Sequence, residues 1–268
     1  MSDLGQQVQA LFGQDPKSVR PLHGGDLSQV RSLVLEDGRS IVAKTGPLVG
    51  VETAMLRAMA AAQAPVPGVL GVAGQHLFLE HLPESRASTA GWAALARGLK
   101  QLHSHHGETF GWPKDYAFGS VAIHNSARAD WPSFWIENRL LPSLSHLPAP
   151  LAHRIEAAAD RLPDLLPARP DAALLHGDLW SGNVLFGPKG SAHLIDPACY
   201  FGHGEVDLAM LTLFGQPPVA FWQEYGSLEP GAEIRLAAYQ LWPALVHFRL
   251  FGSGYRGMVE QRLSVLGA

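Results

Sequence analysis

The 268-residue chain is 47% apolar and 16% charged, with 20 Lys and Arg against 24 Asp and Glu, a net charge of −4. That apolar content suffices for one large core or two modest ones, which excludes disorder for most of the chain, and the near balance of charge leaves no electrostatic footprint for nucleic acid. The 28 glycines and 20 prolines exclude a long coiled coil, and a lone cysteine, Cys199, excludes an internal disulfide and points to a reducing cytoplasm.

The first residues, Met1-Ser2-Asp3-Leu4-Gly5-Gln6-Gln7, carry an acid where a signal peptide carries bases. His23-Gly24-Gly25-Asp26-Leu27-Ser28 is a glycine-bearing loop just ahead of two β-rich runs, 30–35 and 40–44, which read as a hairpin around Gly38. Residues 51–62 repeat Ala54, Met55, Ala58, Met59 and Ala62 at helical spacing and stop before Pro65 and Pro67. The same two prolines break the most apolar long stretch, 58–74, so nothing here spans a membrane. Residues 76–82 read as a strand ending at Pro83. Beyond it the pattern turns helical at 89–103, 133–141 and 151–161, is interrupted by apolar strands and tight polar loops over 174–196, and resumes from Glu205 and over 232–251. The fold class is α+β, with a small β-rich lobe over 1–83 and a larger, mainly helical lobe over 84–268.

The block His176-Gly177-Asp178-Leu179-Trp180-Ser181-Gly182-Asn183, followed by Ile195-Asp196-Pro197, carries the chemistry. Asp178 and Asn183 stand five residues apart on a turn between apolar strands, and Asp196 ends the next strand. Three such hard oxygen donors suit Mg²⁺ completed by phosphate oxygens. Their order matches a kinase catalytic loop and its metal-binding Asp, with Asp178 taking the hydroxyl of the attacking substrate and Asn183 and Asp196 holding metal. Alone, Asp178 and Asn183 would read as turn caps. Upstream parts complete the set: Lys44 at the end of a strand for the phosphates, Glu52 at the start of a helix to hold that Lys, and Gly24, Gly25 and Ser28 to cover the phosphates. Glu80 and Leu82, between the lobes, offer backbone groups to adenine.

With Asp196-Pro197-Ala198-Cys199-Tyr200-Phe201-Gly202-His203-Gly204-Glu205-Val206-Asp207, this block resembles the fructosamine kinase (ketosamine-3-kinase) family within the aminoglycoside-phosphotransferase-like kinases. The Trp180-Ser181 pair separates that family from aminoglycoside and choline kinases. The likeness implies a two-lobed protein-kinase-like fold and transfer of phosphate from ATP, with Mg²⁺, to the sugar 3-hydroxyl of ketoamines, a deglycation activity. Gly204 stands where the family pattern has Arg, and Ile123-His124 where it has Pro-Gln. Expected partners are a small ketoamine or a glycated protein lysine, with no nucleic acid and no membrane, and the chain is expected to act as a cytoplasmic monomer. Another hydroxyl acceptor, or a nucleotide-binding pseudokinase, are the alternatives.

Trp180 is placed to stack on substrate, and His203 and His247 line the substrate pocket by family position. Asp207 and His176 brace the catalytic loop. His103-Ser104-His105-His106 lacks the partners of a zinc site and reads as a solvated helix end. Cys199 reads as a packed residue, and Glu137 with Arg139 as a scaffold charge pair.

Overall fold

The computed structural model describes residues 3–22 and 29–268. The loop carrying Gly24, Gly25 and Ser28 lies outside the described residues. Helix α1 (Asp3–Phe12) leads into β1 (Pro16–Pro21), β2 (Gln29–Leu35) and β3 (Ser40–Thr45); then come α2 (Val49–Ala61), β4 (Val69–Ala73) and β5 (His76–Glu80). The strands form one antiparallel sheet in the order β1-β2-β3-β5-β4. Alternation along β3 buries Ile41 and Ala43 on one side, where Leu33, Leu35, Phe78 and α1 close a small core. Lys44, one position on, has the opposite facing.

The helical part begins with α3 (Thr89–His103), whose amino end is capped by Ser88 Oγ accepting from Gly91 N at 3.1 Å. Leu95, Ala96, Leu99 and Leu102 form its buried stripe. A hairpin of β6 (Tyr116–Phe118) and β7 (Val121–Ile123) follows, then α4 (Trp131–Trp135), which runs through a π turn at Ile136–Leu140 instead of the single helix expected over 133–141. After α5 (Ala149–Leu165), strands β8 (Ala173–Leu175), β9 (Val184–Gly187), β10 (Ser191–Leu194) and β11 (Tyr200–Gly202) form two short ladders, β8 with β11 and β9 with β10. The chain ends in α6 (Glu205–Leu211), α7 (Val219–Tyr225), α8 (Ala232–Phe251) and α9 (Arg256–Val265). No helix among the described residues is long and apolar enough to cross a membrane.

Helix α2 is packed on both sides. Val49 and Leu56 meet Leu77 and Leu79 of the sheet, while Met55 and Met59 join Leu95, Leu99, Leu174, Leu179 and Leu194 in a core shared with the helical part. The largest core lies further off, around Trp131, which packs on Phe110, Phe134, Trp135 and Tyr239 and donates Nε1–H to the Tyr239 hydroxyl at 2.9 Å. Trp131→Ala removes a fully buried indole and is expected to cost about 3–5 kcal/mol, read as a lowered urea midpoint. Arg139 is also buried there, with Phe134 and Tyr200 rings over its guanidinium and the Asn125 side chain and His124 carbonyl accepting from it. The expected Glu137–Arg139 pair does not form: two positions apart on a helical segment, the side chains point to opposite sides, and Glu137 pairs with Arg128 at 2.6 Å instead.

Candidate active site

The two short ladders bracket the loops that hold the polar residues. Loop 176–183 leaves β8 and enters β9, and Asp196 follows β10. Ile195 N–H donates to the Asn183 carbonyl at 3.0 Å, tying one loop to the other. Asn183 Nδ2 donates to both the backbone carbonyl (2.8 Å) and Oδ2 (2.9 Å) of Asp178, so the five-residue spacing closes into a turn that presents the Asp178 carboxylate. Asp196 has a positive φ of 54°, a conformation Asp tolerates better than most residues.

Lys44 Nζ lies 2.8 Å from Glu52 Oε1 and 2.8 Å from Asp196 Oδ1. A strand, a helix and a loop from distant parts of the sequence therefore meet on one ammonium group. Burial opposes the charge on Lys44, but the Glu52 and Asp196 carboxylates outweigh it and hold the pKa above the ordinary lysine value. Asp178 is half-buried without a basic partner in contact, and desolvation pushes its pKa up to about 7 against the pull of the Asn183 hydrogen bond.

The loop is held from behind. Asp207, fully buried at the start of α6, accepts from His176 N at 2.8 Å and Gly177 N at 2.9 Å, and His103 Nε2 lies 3.0 Å from it. Burial works against the Asp207 charge, but these donors prevail and lower its pKa. His176 is buried and its pKa is lowered by desolvation; Nε2–H donates to the Ile195 carbonyl at 2.8 Å, and Nδ1 accepts from Asp178 N at 3.2 Å. His103 is thus no solvated helix end. Its ring turns inward from the last turn of α3 to bridge Asp207 and the Tyr225 hydroxyl, the latter at 2.8 Å. Such a partner 104 residues downstream leaves no local mark in the sequence.

Tyr116 completes this neighbourhood without any local motif to announce it. It comes from the β6–β7 hairpin, packs against both large cores, and its buried hydroxyl faces the Lys44, Glu52 and Asp196 cluster. Burial, with the Glu52 charge behind it, raises its pKa and keeps the hydroxyl protonated. In the sequence it is marked only as one of two aromatics, with Phe118, between Lys114-Asp115 and Gly119.

The other expected site residues are spread more widely. The Trp180 indole lies against Gly182, where a Cβ would strike the ring, and its free side looks to solvent. Trp180 and His247 both contact Phe214, with centroids 6.2 and 5.2 Å apart. His203 is held by the Tyr239 hydroxyl at 2.8 Å, with burial pulling its pKa down to about 4, and shares no contact with Asp178. The Glu80 amide donates to the Gly68 carbonyl and its side chain accepts from Gly68 N, whereas no backbone hydrogen bond from another described residue engages Leu82. Cys199 is buried, as a packed residue should be.

The donors present fit a divalent cation of the Mg²⁺ type. Asn183 uses its amide nitrogen on Asp178 and leaves Oδ1 free of described donors, and Asp196 uses one oxygen on Lys44 and leaves the other. No group of three or more His, Cys, Asp or Glu able to hold a metal occurs among the described residues. Two oxygens completed by phosphate are what Mg²⁺ accepts, and too few for a dedicated protein cage.

A family model described as fructosamine kinase matches residues 1–266. A probable ketoamine kinase from Synechocystis is 35% identical over 286 residues, covering 97% of this chain and 94% of that protein. A Thermobifida fusca crystal structure assigned as a fructosamine-3-kinase superposes with a TM-score of 0.91 at 29% identity, covering 99% of both chains. The aminoglycoside phosphotransferase APH(4)-Ia, in a thermostable mutant, shares the fold alone, with a TM-score of 0.67 at 17% identity over 98% of this chain and 97% of its own. The α+β, two-lobed, protein-kinase-like architecture expected from the sequence is the one observed.

Proposed function

The chain belongs to the fructosamine kinase family, and we propose on that premise that it transfers the γ-phosphoryl group of ATP to the sugar 3-hydroxyl of ketoamines. The observation that carries the reading is the meeting of Lys44, Glu52 and Asp196 beside the Asp178–Asn183 turn. In the proposed reaction Asp178 accepts the proton of the 3-hydroxyl, the freed oxygen bonds to the γ-phosphorus, and the bond from that phosphorus to its bridging oxygen breaks to release ADP. Lys44, oriented by Glu52, balances phosphate charge where little water competes. Asn183 and Asp196 would hold Mg²⁺, which when bound supplies further charge neutralisation at the phosphates. Asn183 also fixes the Asp178 carboxylate through its hydrogen bond, so the base is oriented before substrate arrives.

Leu82 is proposed to face adenine, with the strand end at Glu80 as its support, and Pro83 to divide the lobes. Gly24, Gly25 and Ser28 remain proposed phosphate contacts, and Trp180, His203 and His247 proposed substrate contacts. The test is a ³¹P NMR assay with MgATP and a ribulosamine or fructosamine. The expected result is one ketoamine 3-phosphate formed per ADP. Consumption of ATP only with aminoglycoside or choline acceptors would overturn the reading.

A further inference from the structure

The loop that carries Asp178 continues outward into a strip of aromatic rings of which only Trp180 and His247 have a proposed place at the substrate. It starts at Trp180, two residues beyond Asp178. Phe214, in the loop after α6, meets Trp180 edge-on, and His247 of α8 also packs on it with centroids 5.2 Å apart. His247 in turn contacts Phe251, one turn further along α8, at 5.6 Å, and Tyr255 at 5.0 Å; Phe251 and Tyr255 are 5.8 Å apart. Three separate segments thus contribute to one continuous surface.

These rings are not core. Trp180, Phe214 and Phe251 are 39%, 47% and 52% exposed. Contiguous exposed aromatic surface of this kind is uncommon on soluble proteins and marks a place where apolar groups bind. The strip is also fixed in place: His247 Nδ1–H donates to the Pro243 carbonyl at 2.7 Å, and Gly182 lets the Trp180 ring lie against the loop. Its charged neighbours Arg256 and Glu260 pair with each other at 2.8 Å, so the surface offers ring faces and no unpaired acid from that turn.

Substrate chemistry matches this layout. In a ketoamine the reacting 3-oxygen and the amine nitrogen are separated by three carbons. With the oxygen at Asp178 the nitrogen lies within a few bond lengths of the loop that carries Trp180, and whatever the nitrogen carries on its far side is free to extend along the strip that starts there. A protonated secondary amine is attracted by ring faces, and a hydrocarbon arm gains by covering them.

Resting on the ketoamine reading above, we propose that Phe214, His247, Phe251 and Tyr255 form a subsite for the amine-side substituent, suited to an apolar arm of several carbons carried by a secondary ammonium. The test uses ribulosamines of methylamine, butylamine and hexylamine at fixed MgATP. kcat/KM is expected to rise with chain length, by about tenfold from methyl to hexyl. Phe214→Ala and Phe251→Ala are each expected to reduce that hexyl-to-methyl ratio about threefold, with thermal melts reporting that the variants are folded. The wild-type series decides the matter even where a variant fails to fold. Equal kcat/KM across the series, or an unchanged ratio in both folded variants, overturns the subsite and leaves the ketoamine reading standing. Phosphorylation of none of the three adducts overturns that reading and the subsite with it.

Discussion

Asp178→Ala is expected to abolish ketoamine phosphorylation, lowering kcat by about 10³-fold or more, while MgATP still raises the melting temperature as it does for the unsubstituted protein. The two readouts separate because of where the contacts fall. Asp178 touches neither Lys44 nor Glu52 directly, and its hydrogen bonds are with the loop itself: Asn183 donates to its carboxylate and its carbonyl, and His176 accepts from its amide. The ion triad that is proposed to meet the phosphates therefore survives its loss. Turnover within tenfold of the unsubstituted protein would remove Asp178 from the role of base.

Gly177→Ala is expected to damage both stability and activity. Gly177 has a φ of +81°, which disfavours any side chain, and a Cβ would collide with the Ala198 carbonyl. That carbonyl cannot retreat freely, since Ala198 N–H is bonded to the His176 carbonyl and Cys199 beside it is fully buried. Shifting Gly177 instead breaks its bond to Asp207, which holds the loop carrying Asp178. The combined cost is about 3 kcal/mol or more, a fall in Tm of about 6–12 °C for a chain of this size. Gly50→Ala is the matched control: it lies in α2 with open space around it and an ordinary φ, so the same change there is expected to raise stability by up to about 1 kcal/mol. A Gly177→Ala protein that melts and turns over like the parent would contradict the packing described here.

What the sequence discloses and what it hides follow from distance along the chain. Asp178 and Asn183 are five residues apart and define their own turn, and Lys44 and Glu52 sit on a strand and a helix that periodicity exposes. α3 is legible over its full length from Thr89 to His103 because its apolar stripe and its Ser88 cap are both local. β1 is hidden, since Pro16-Lys17-Ser18-Val19-Arg20-Pro21 has one apolar side chain outside its prolines and is mostly exposed. The short α7 and the polar α9 are likewise hidden, their few apolar residues giving little period to read. The inward turn of His103 and the reach of Tyr116 to Glu52 depend on partners far along the chain, so only the folded molecule displays them.

Helix α2 has no face to spare. One side closes the sheet through Val49 and Leu56, and the other closes the helical part through Met55 and Met59. The chain therefore cannot be divided near Pro83 into two self-sufficient pieces: the amino-terminal fragment would carry a bare methionine surface, and the remainder would have a socket with nothing in it. Exchange of the amino-terminal part between relatives is constrained in the same way, because a transplanted sheet must bring an α2 whose outer side chains suit a core it never evolved against.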